Sequence, residues 1–256
     1  MQHWDKTAMG GMDSRFGPTP WSLVFNTRTA DDTRRRVLLE NLTGTYWKPV
    51  YCYLRKKGYS NDAAKDLTQG FFCEIVLGKD LIQKADRSKG KFRTFLLVAL
   101  ERYLASHLRQ EGRIKRGGQT SFITLDHPDY AHTEPIASLV EPEQTFYYVW
   151  ITKLLDEVLV ELKGEYDRSG RKAHWEAFSL RLLDPILHHQ EPLGLPEICV
   201  RIGVDEPARV SNMIETVKRR FRSVLKRHLR NLTCSEEEAV EEFHDILKFL
   251  SERSAR

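Results

Sequence analysis

No stretch of this 256-residue chain comes near the roughly 18 consecutive apolar residues of a membrane span, so insertion into a bilayer is not expected. The opening MQHWDKTAMGGMDSRFGPTP lacks the basic-then-apolar order of a secretory leader and reads as a flexible segment. Cysteine is scarce. Cys52, Cys73, Cys199 and Cys234 lie far apart and form no CxxC pair, which suits reduced, mostly buried thiols in a cytoplasmic protein. P-loop, GxSxG and HExxH signatures are all missing. His188 and His189 are neighbours and point to different sides of any helix, while His127 and His132 have no carboxylate or cysteine at metal-ligand spacing. Neither a cofactor nor a metal is therefore expected, and the chain does not read as an enzyme. Neither sign of charge dominates either: 40 Lys and Arg face 36 Asp and Glu, for a net charge of +4. The distribution of charge has to carry more meaning than its total.

Sustained two-residue alternation is also lacking, so no sheet is expected, and no fixed-period repeat appears. What is there is helical periodicity. From Asp31, Val37, Leu38, Leu42 and Tyr46 keep a helical spacing until Pro49, which is expected to kink or restart the segment because it has no N–H to donate. Gly58 is the expected C-cap. Ser60, Asn61 or Asp62 then caps a helix carrying Ala63, Leu67 and Phe71, on which Asp66 and Gln69 share a polar flank. Gly70 interrupts that helix just before Phe71 and Phe72. Residues 78–91 read as a short apolar turn and a basic loop. A strong helix follows from Phe92 through Leu108 and ends in the basic RQEGRIKRGG.

The sequence divides accordingly: a flexible segment 1–30, a first helical lobe 31–118, an acidic linker 119–145, a second helical lobe 146–232, and an acidic amphipathic helix 233–256. Pro128, Pro135 and Pro142 with five carboxylates mark the linker, in which FITLD suggests a brief extended piece. In the second lobe LPEICVRIGV supplies a short helix with Ile198 and Ile202 inward, broken at Gly203. Asp205 is placed to cap the next helix, and Pro207 suits its first turn. There Val210, Ile214, Val217, Phe221, Val224 and Leu225 form a buried stripe, while Arg209, Ser211, Asn212, Lys218, Arg219, Arg222 and Lys226 face away. This is the order of a helix-turn-helix, in which polar side chains early in the second helix meet base edges and later cations meet phosphates.

A second basic zone lies in the first lobe: Arg87, Lys89, Lys91 and Arg93, then Arg102, Arg109, Arg113, Lys115 and Arg116. Cations among aromatics suit unstacked nucleic acid, although Phe92 and Phe95 keep step with Leu96 and Ala99 and read as core. The acidic helix places Glu236, Glu237, Glu238, Glu241, Glu242 and Asp245 apart from Phe243, Ile246, Leu247 and Leu250. It is expected to pack on the second lobe or to bind a regulator.

NDAAKDLTQGFF, then KGKFRTFLLVALERYL, then KRGG, resembles the promoter-reading lobe of sigma-70 family factors of the ECF type, in a group where AxDLTQxFF, GRFRxFLL and KRGG recur. YWKPVYCYLRKKGYS resembles the preceding helix of that group, and EPEQTFYYVWITKLLDEVLVELKGEY the entry to its second lobe. IGVDEPARVSNMIETVKRRFRSVLKRHL resembles its helix-turn-helix and EEEAVEEFHDILKFLSE its closing helix, so the likeness covers about residues 20–250 in order. It implies two all-α lobes, sigma regions 2 and 4, and a non-enzymatic cytoplasmic subunit that brings core RNA polymerase to promoter DNA. Asp66 and Gln69, with Asp62 and Lys65 beside them, match the surface that docks on the polymerase clamp. Lys89, Lys91, Arg93 and Arg102 match the part that captures the melted −10 element, and the basic tail with Arg109, Arg113, Lys115 and Arg116 the upstream duplex edge. Arg209, Ser211, Asn212, Lys218, Arg219 and Arg222 match the −35-reading helix. The resemblance also implies an inhibitory, anti-sigma partner wedged between the lobes. Gly70 stands where an acidic residue is usual, Lys91 where Arg is usual, and the turn DEPAR is one residue longer. Two other readings stay open: a stand-alone helix-turn-helix regulator, and a sigma-like interaction protein held by another protein.

Overall fold

Asp32 to Lys56 forms one continuous helix, α1, which runs through Pro49 rather than restarting there. The computed structural model describes residues 32–77, 91–114, 141–188, 190–233 and 235–254, and within these the protein is all-helical. After α1 come α2 (Asn61–Leu77), α3 (Phe92–Ile114), α4 (Pro142–Arg168), α5 (Lys172–Phe178), a π-helical turn (Ser179–Leu183), α6 (Asp184–His188), α7 (Leu195–Ile202), α8 (Pro207–Leu232) and α9 (Glu236–Ser254). The apolar turn at Leu81 and Ile82, the FITLD piece, the N-terminal segment and most of the acidic linker lie outside the described residues. The linker's last part is helix: α4 begins at Pro142, whose fixed φ and missing N–H suit a first helical position.

The α1–α2 junction follows from local chemistry. Gly58 takes φ +92, its N–H donates to Arg55 O at 3.0 Å, and Tyr59 N–H donates to Leu54 O at 3.2 Å. This pair of bonds satisfies the last carbonyls of α1 and needs a residue free of a Cβ penalty. Ser60 then caps α2, its Oγ accepting from Ala63 N at 3.2 Å. Asn61 is otherwise engaged, accepting the Tyr51 hydroxyl at 2.7 Å.

The chain divides into two compact units, Met1–Lys153 with Arg230–Arg256, and Leu154–Leu229. The divisions fall inside α4 and α8, and the acidic helix α9 belongs to the first unit, not with the helix-turn-helix. In the first unit α1 contributes Leu42, Tyr46, Val50 and Leu54 to the core, α2 Phe71 and Phe72, α3 Leu96 and Leu100, and α4 Phe146 and Trp150. Burying each such side chain is worth about 1.5–3 kcal/mol, enough for a few helices to hold together without disulfides. Tyr46 stacks on Phe146 at 6.3 Å and lies 5.6 Å from Phe92, joining three helices at one point. The Tyr53 hydroxyl donates to Glu101 at 3.2 Å and to Glu143 at 3.4 Å, so Glu143 serves the packing of α4 and not a linker. Burial first, then these two carboxylates, raise the Tyr53 pKa above its ordinary value.

In the second unit Leu154, Val158, Leu162 and Tyr166 of α4 share a core with Phe178, Ile198 and the stripe of α8. Arg220 clamps Glu165 with both Nε and Nη2 at 2.9 Å, and Arg227 and His228 converge on Glu161, with His228 Nε2 at 2.8 Å. The π-helical turn links α5 to α6, and Ser179 Oγ donates to Asp184 there at 3.0 Å. Arg181 donates to Leu193 O at 2.5 Å, tying the chain before α7 back to this turn. No described helix is long and apolar enough to cross a membrane.

Candidate nucleic-acid interface

In the second unit α7 ends at Gly203, which is left-handed (φ +68), and Val204 N–H reaches back to Cys199 O at 3.0 Å. That sharp stop lets a second helix begin four residues later. The cap is Glu206, not Asp205: Arg209 N–H and Val210 N–H both donate to Glu206 O, at 3.0 and 3.2 Å. Asp205 stays exposed in the turn. Pro207 opens α8 as its sequence position implies. Glu197 closes the other end, accepting Gly194 N–H at 2.7 Å at the start of α7.

The expected stripe of α8 is buried at Val210, Ile214, Val217, Val224 and Leu225, with Met213 added to it and Phe221 half-buried. Arg209, Asn212, Arg219 and Arg222 are exposed, and Ser211 is half-buried. Lys218 is half-buried and pairs with Glu215 at 2.7 Å one turn earlier. Other cations of α8 differ in what they meet. Arg220 and Arg227 are fastened to carboxylates of α4, whereas Arg209, Arg219 and Arg222 project to solvent beside Asn212. A surface that meets phosphates requires accessible cations, which these three arginines supply.

On α2 the inner positions Ala64, Leu67, Thr68, Phe71 and Phe72 are buried, and Asp62, Asp66 and Gln69 are exposed. Their spacing of four and three residues makes one polar stripe, which Cys73 extends by a further turn. Lys65 is half-buried on its flank. Of the thiols described, only Cys199 is buried; Cys52 is half-buried and Cys73 exposed, against the expectation of mostly buried cysteines. Burial pushes the Cys52 thiol up to about 11 even though Lys48 and Arg55 pull the other way.

Gly70 has a neighbour the sequence does not reveal. A Cβ at this position would fall on the hydroxyl oxygen of Tyr103 from α3 and 3.6 Å from its Cζ. Tyr103 also packs on Phe71 at 5.6 Å. The missing side chain is room for a tyrosine of the same unit.

The basic zone of α3 splits as well. Arg102 and Arg109 are exposed along the helix, with Arg109 Nε donating to Ala105 O at 3.0 Å. Arg113 lies in the last turn of α3, and Lys89, Lys115 and Arg116 lie outside the described residues. Lys91 and Arg93 are half-buried. Lys91 Nζ donates to Asp245 of α9 at 2.6 Å, and Arg93 pairs with Glu242 of the same helix. The Arg93 guanidinium lies over the rings of Tyr147 and Trp150, at 4.5 and 5.3 Å from their centroids. Phe92 is core, as its spacing indicates, and lies 6.0 Å from Phe95. The sequence supplies the acidic composition of α9 but no signal for which surface it meets. The chain shows no match to any protein-family model, to any curated protein or to any solved structure.

Proposed function

We propose that this chain is a sigma factor of the ECF type, a non-enzymatic cytoplasmic subunit that binds core RNA polymerase and directs it to promoters. The observation that carries the reading is the helix-turn-helix of α7 and α8: behind a left-handed Gly203 turn, Arg209, Asn212, Arg219 and Arg222 are exposed on a helix whose apolar stripe is buried. In this reading Arg209, Ser211 and Asn212 donate to base edges of the −35 element, and Arg219 and Arg222 to phosphates. The exposed stripe of Asp62, Asp66 and Gln69 meets the polymerase clamp, where burial of a polar stripe requires complementary partners. In the same reading the exposed Arg102 serves the −10 element and the exposed Arg109 the duplex edge upstream of it. Two DNA-binding units on one chain gain effective concentration for their second contact, so each alone has only to bind weakly.

The exposed face of α8 by itself also fits a stand-alone helix-turn-helix regulator, and the stripe on α2 separates the two readings. Purified protein mixed with bacterial core RNA polymerase and a library of promoter fragments should give run-off transcripts that neither component gives alone. Duplex binding without any polymerase complex or transcript would leave the regulator and remove the sigma factor.

A further inference from the structure

The helix α9 carries a carboxylate where its packing seam should be apolar. Ala239, Phe243 and Ile246 are buried at helical spacing, and Glu242, only 4% exposed, lies in the same seam. Burying a carboxylate is costly unless a cation meets it, and a hydrophobic residue would pack there at no such cost. Glu242 meets Arg93, whose side chain is 12% exposed, while the half-exposed Asp245 takes Lys91 at 2.6 Å and Arg93 at 3.5 Å. Phe146, Tyr147, Asp245 and Lys248 line a cleft of about 340 Å³ with Arg93 and Thr94, so the contact is open along one side. At its N-terminus α9 also has exposed contacts: Ser235 Oγ accepts from Glu238 N at 3.1 Å, and Arg230 pairs with Glu236 at 2.5 Å. Two carboxylates thus sit on two adjacent cations at the start of α3, as two phosphates would.

We propose that α9 is a removable acidic cover, in which Glu242 and Asp245 occupy the positions that nucleic-acid phosphates take on Lys91 and Arg93 when α9 moves away. The device regulates the first unit: the chain alone is held from unspecific single-stranded DNA, and binding of that strand competes with α9. This rests on the reading of Lys91 and Arg93 as nucleic-acid contacts, and is independent of whether polymerase is the partner.

The test is fluorescence anisotropy of the full-length protein with a labelled mixed-sequence single strand of about 20 nucleotides, long enough to span a site of this kind. The E242Q/D245N variant is expected to bind more tightly than the natural chain. Two further phosphate contacts add about 1.4 to the logarithmic salt slope, so the advantage should shrink roughly sevenfold between 50 and 200 mM salt. Adding Lys91→Ala should remove much of the gain. The control E237Q/E241Q makes the same charge change on exposed positions of α9 and should give no comparable gain. Asp245→Asn alone, at a carboxylate 49% exposed, keeps the fold and should shift affinity in the same direction by less. Equal or weaker binding by both Asp245 variants, absence of binding by all forms, or an equal gain from the control would each overturn the cover. Gel filtration with core polymerase is run on the same samples. Tighter DNA binding without a polymerase complex upholds the cover against the sigma reading, and a complex with unchanged DNA binding does the reverse.

Discussion

Gly70 lies in the interior of α2 because the hydroxyl of Tyr103 occupies the place its side chain would take. The residue that is usual there in the resembling group is acidic, and its absence here is a packing matter within the first unit before it is a matter of any partner. In a helix interior Ala is favoured over Gly by about 1 kcal/mol. Gly70→Ala should therefore gain nothing in the natural chain, where Tyr103 must be displaced. In a Tyr103→Phe background the same change should stabilise by about 1 kcal/mol, raising Tm by roughly 2–4 °C for a protein of this size. Thermal melts of the four proteins in the cycle measure it, and equal effects of Gly70→Ala in both backgrounds would contradict the packing account. The sequence marks Gly70 as anomalous but leaves the cause hidden, because Tyr103 is on another helix. Gly58 and Gly203 are legible in full, since a helix C-cap depends only on the few residues around it.

At the scale of elements, the apolar stripe holds α8 in the second unit, and ion pairs to α4 add to it. Burial alone would push the Glu161 carboxyl up, but hydrogen bonds from His228 and Arg227 outweigh it and hold it below its ordinary 4.5. A carboxylate depressed in the folded state contributes stability that is present above about pH 4.5 and is lost as pH falls through the lower folded value. Glu161→Gln should therefore lower stability at neutral pH and flatten the acid limb below pH 4.5, as followed by helical circular dichroism in urea. An unchanged acid limb would show that Glu161 is not a principal acid-sensitive group. The stripe of α8 follows directly from sequence periodicity, but the division of its arginines between α4 and solvent does not, because the partners Glu161 and Glu165 lie more than fifty residues away. Pro49 misleads for a related reason: one missing hydrogen bond does not end α1 when Leu42, Tyr46, Val50 and Leu54 on both sides of it are buried together.

At the scale of the molecule, helical class and the order of elements are legible in the sequence, and the position of its acidic end is not. Hydrophobic periodicity announces α9 as amphipathic, yet it does not reveal that α9 belongs to the first unit, where Glu242 and Asp245 meet Lys91 and Arg93 about 150 residues earlier in the chain. The stripe of Asp62, Asp66 and Gln69 is legible, because a face is a local property, but what lies against it is outside the chain itself. That makes the partner of α2 the central claim. The most direct measurement is native mass spectrometry of the protein with bacterial core RNA polymerase, comparing the natural chain with Asp66→Arg, a change at an exposed position that leaves the core of α2 intact. The account predicts a one-to-one complex with the natural chain and at least a roughly tenfold weaker one, about 1.4 kcal/mol, with Asp66→Arg. No complex, or one indifferent to Asp66→Arg, would contradict it.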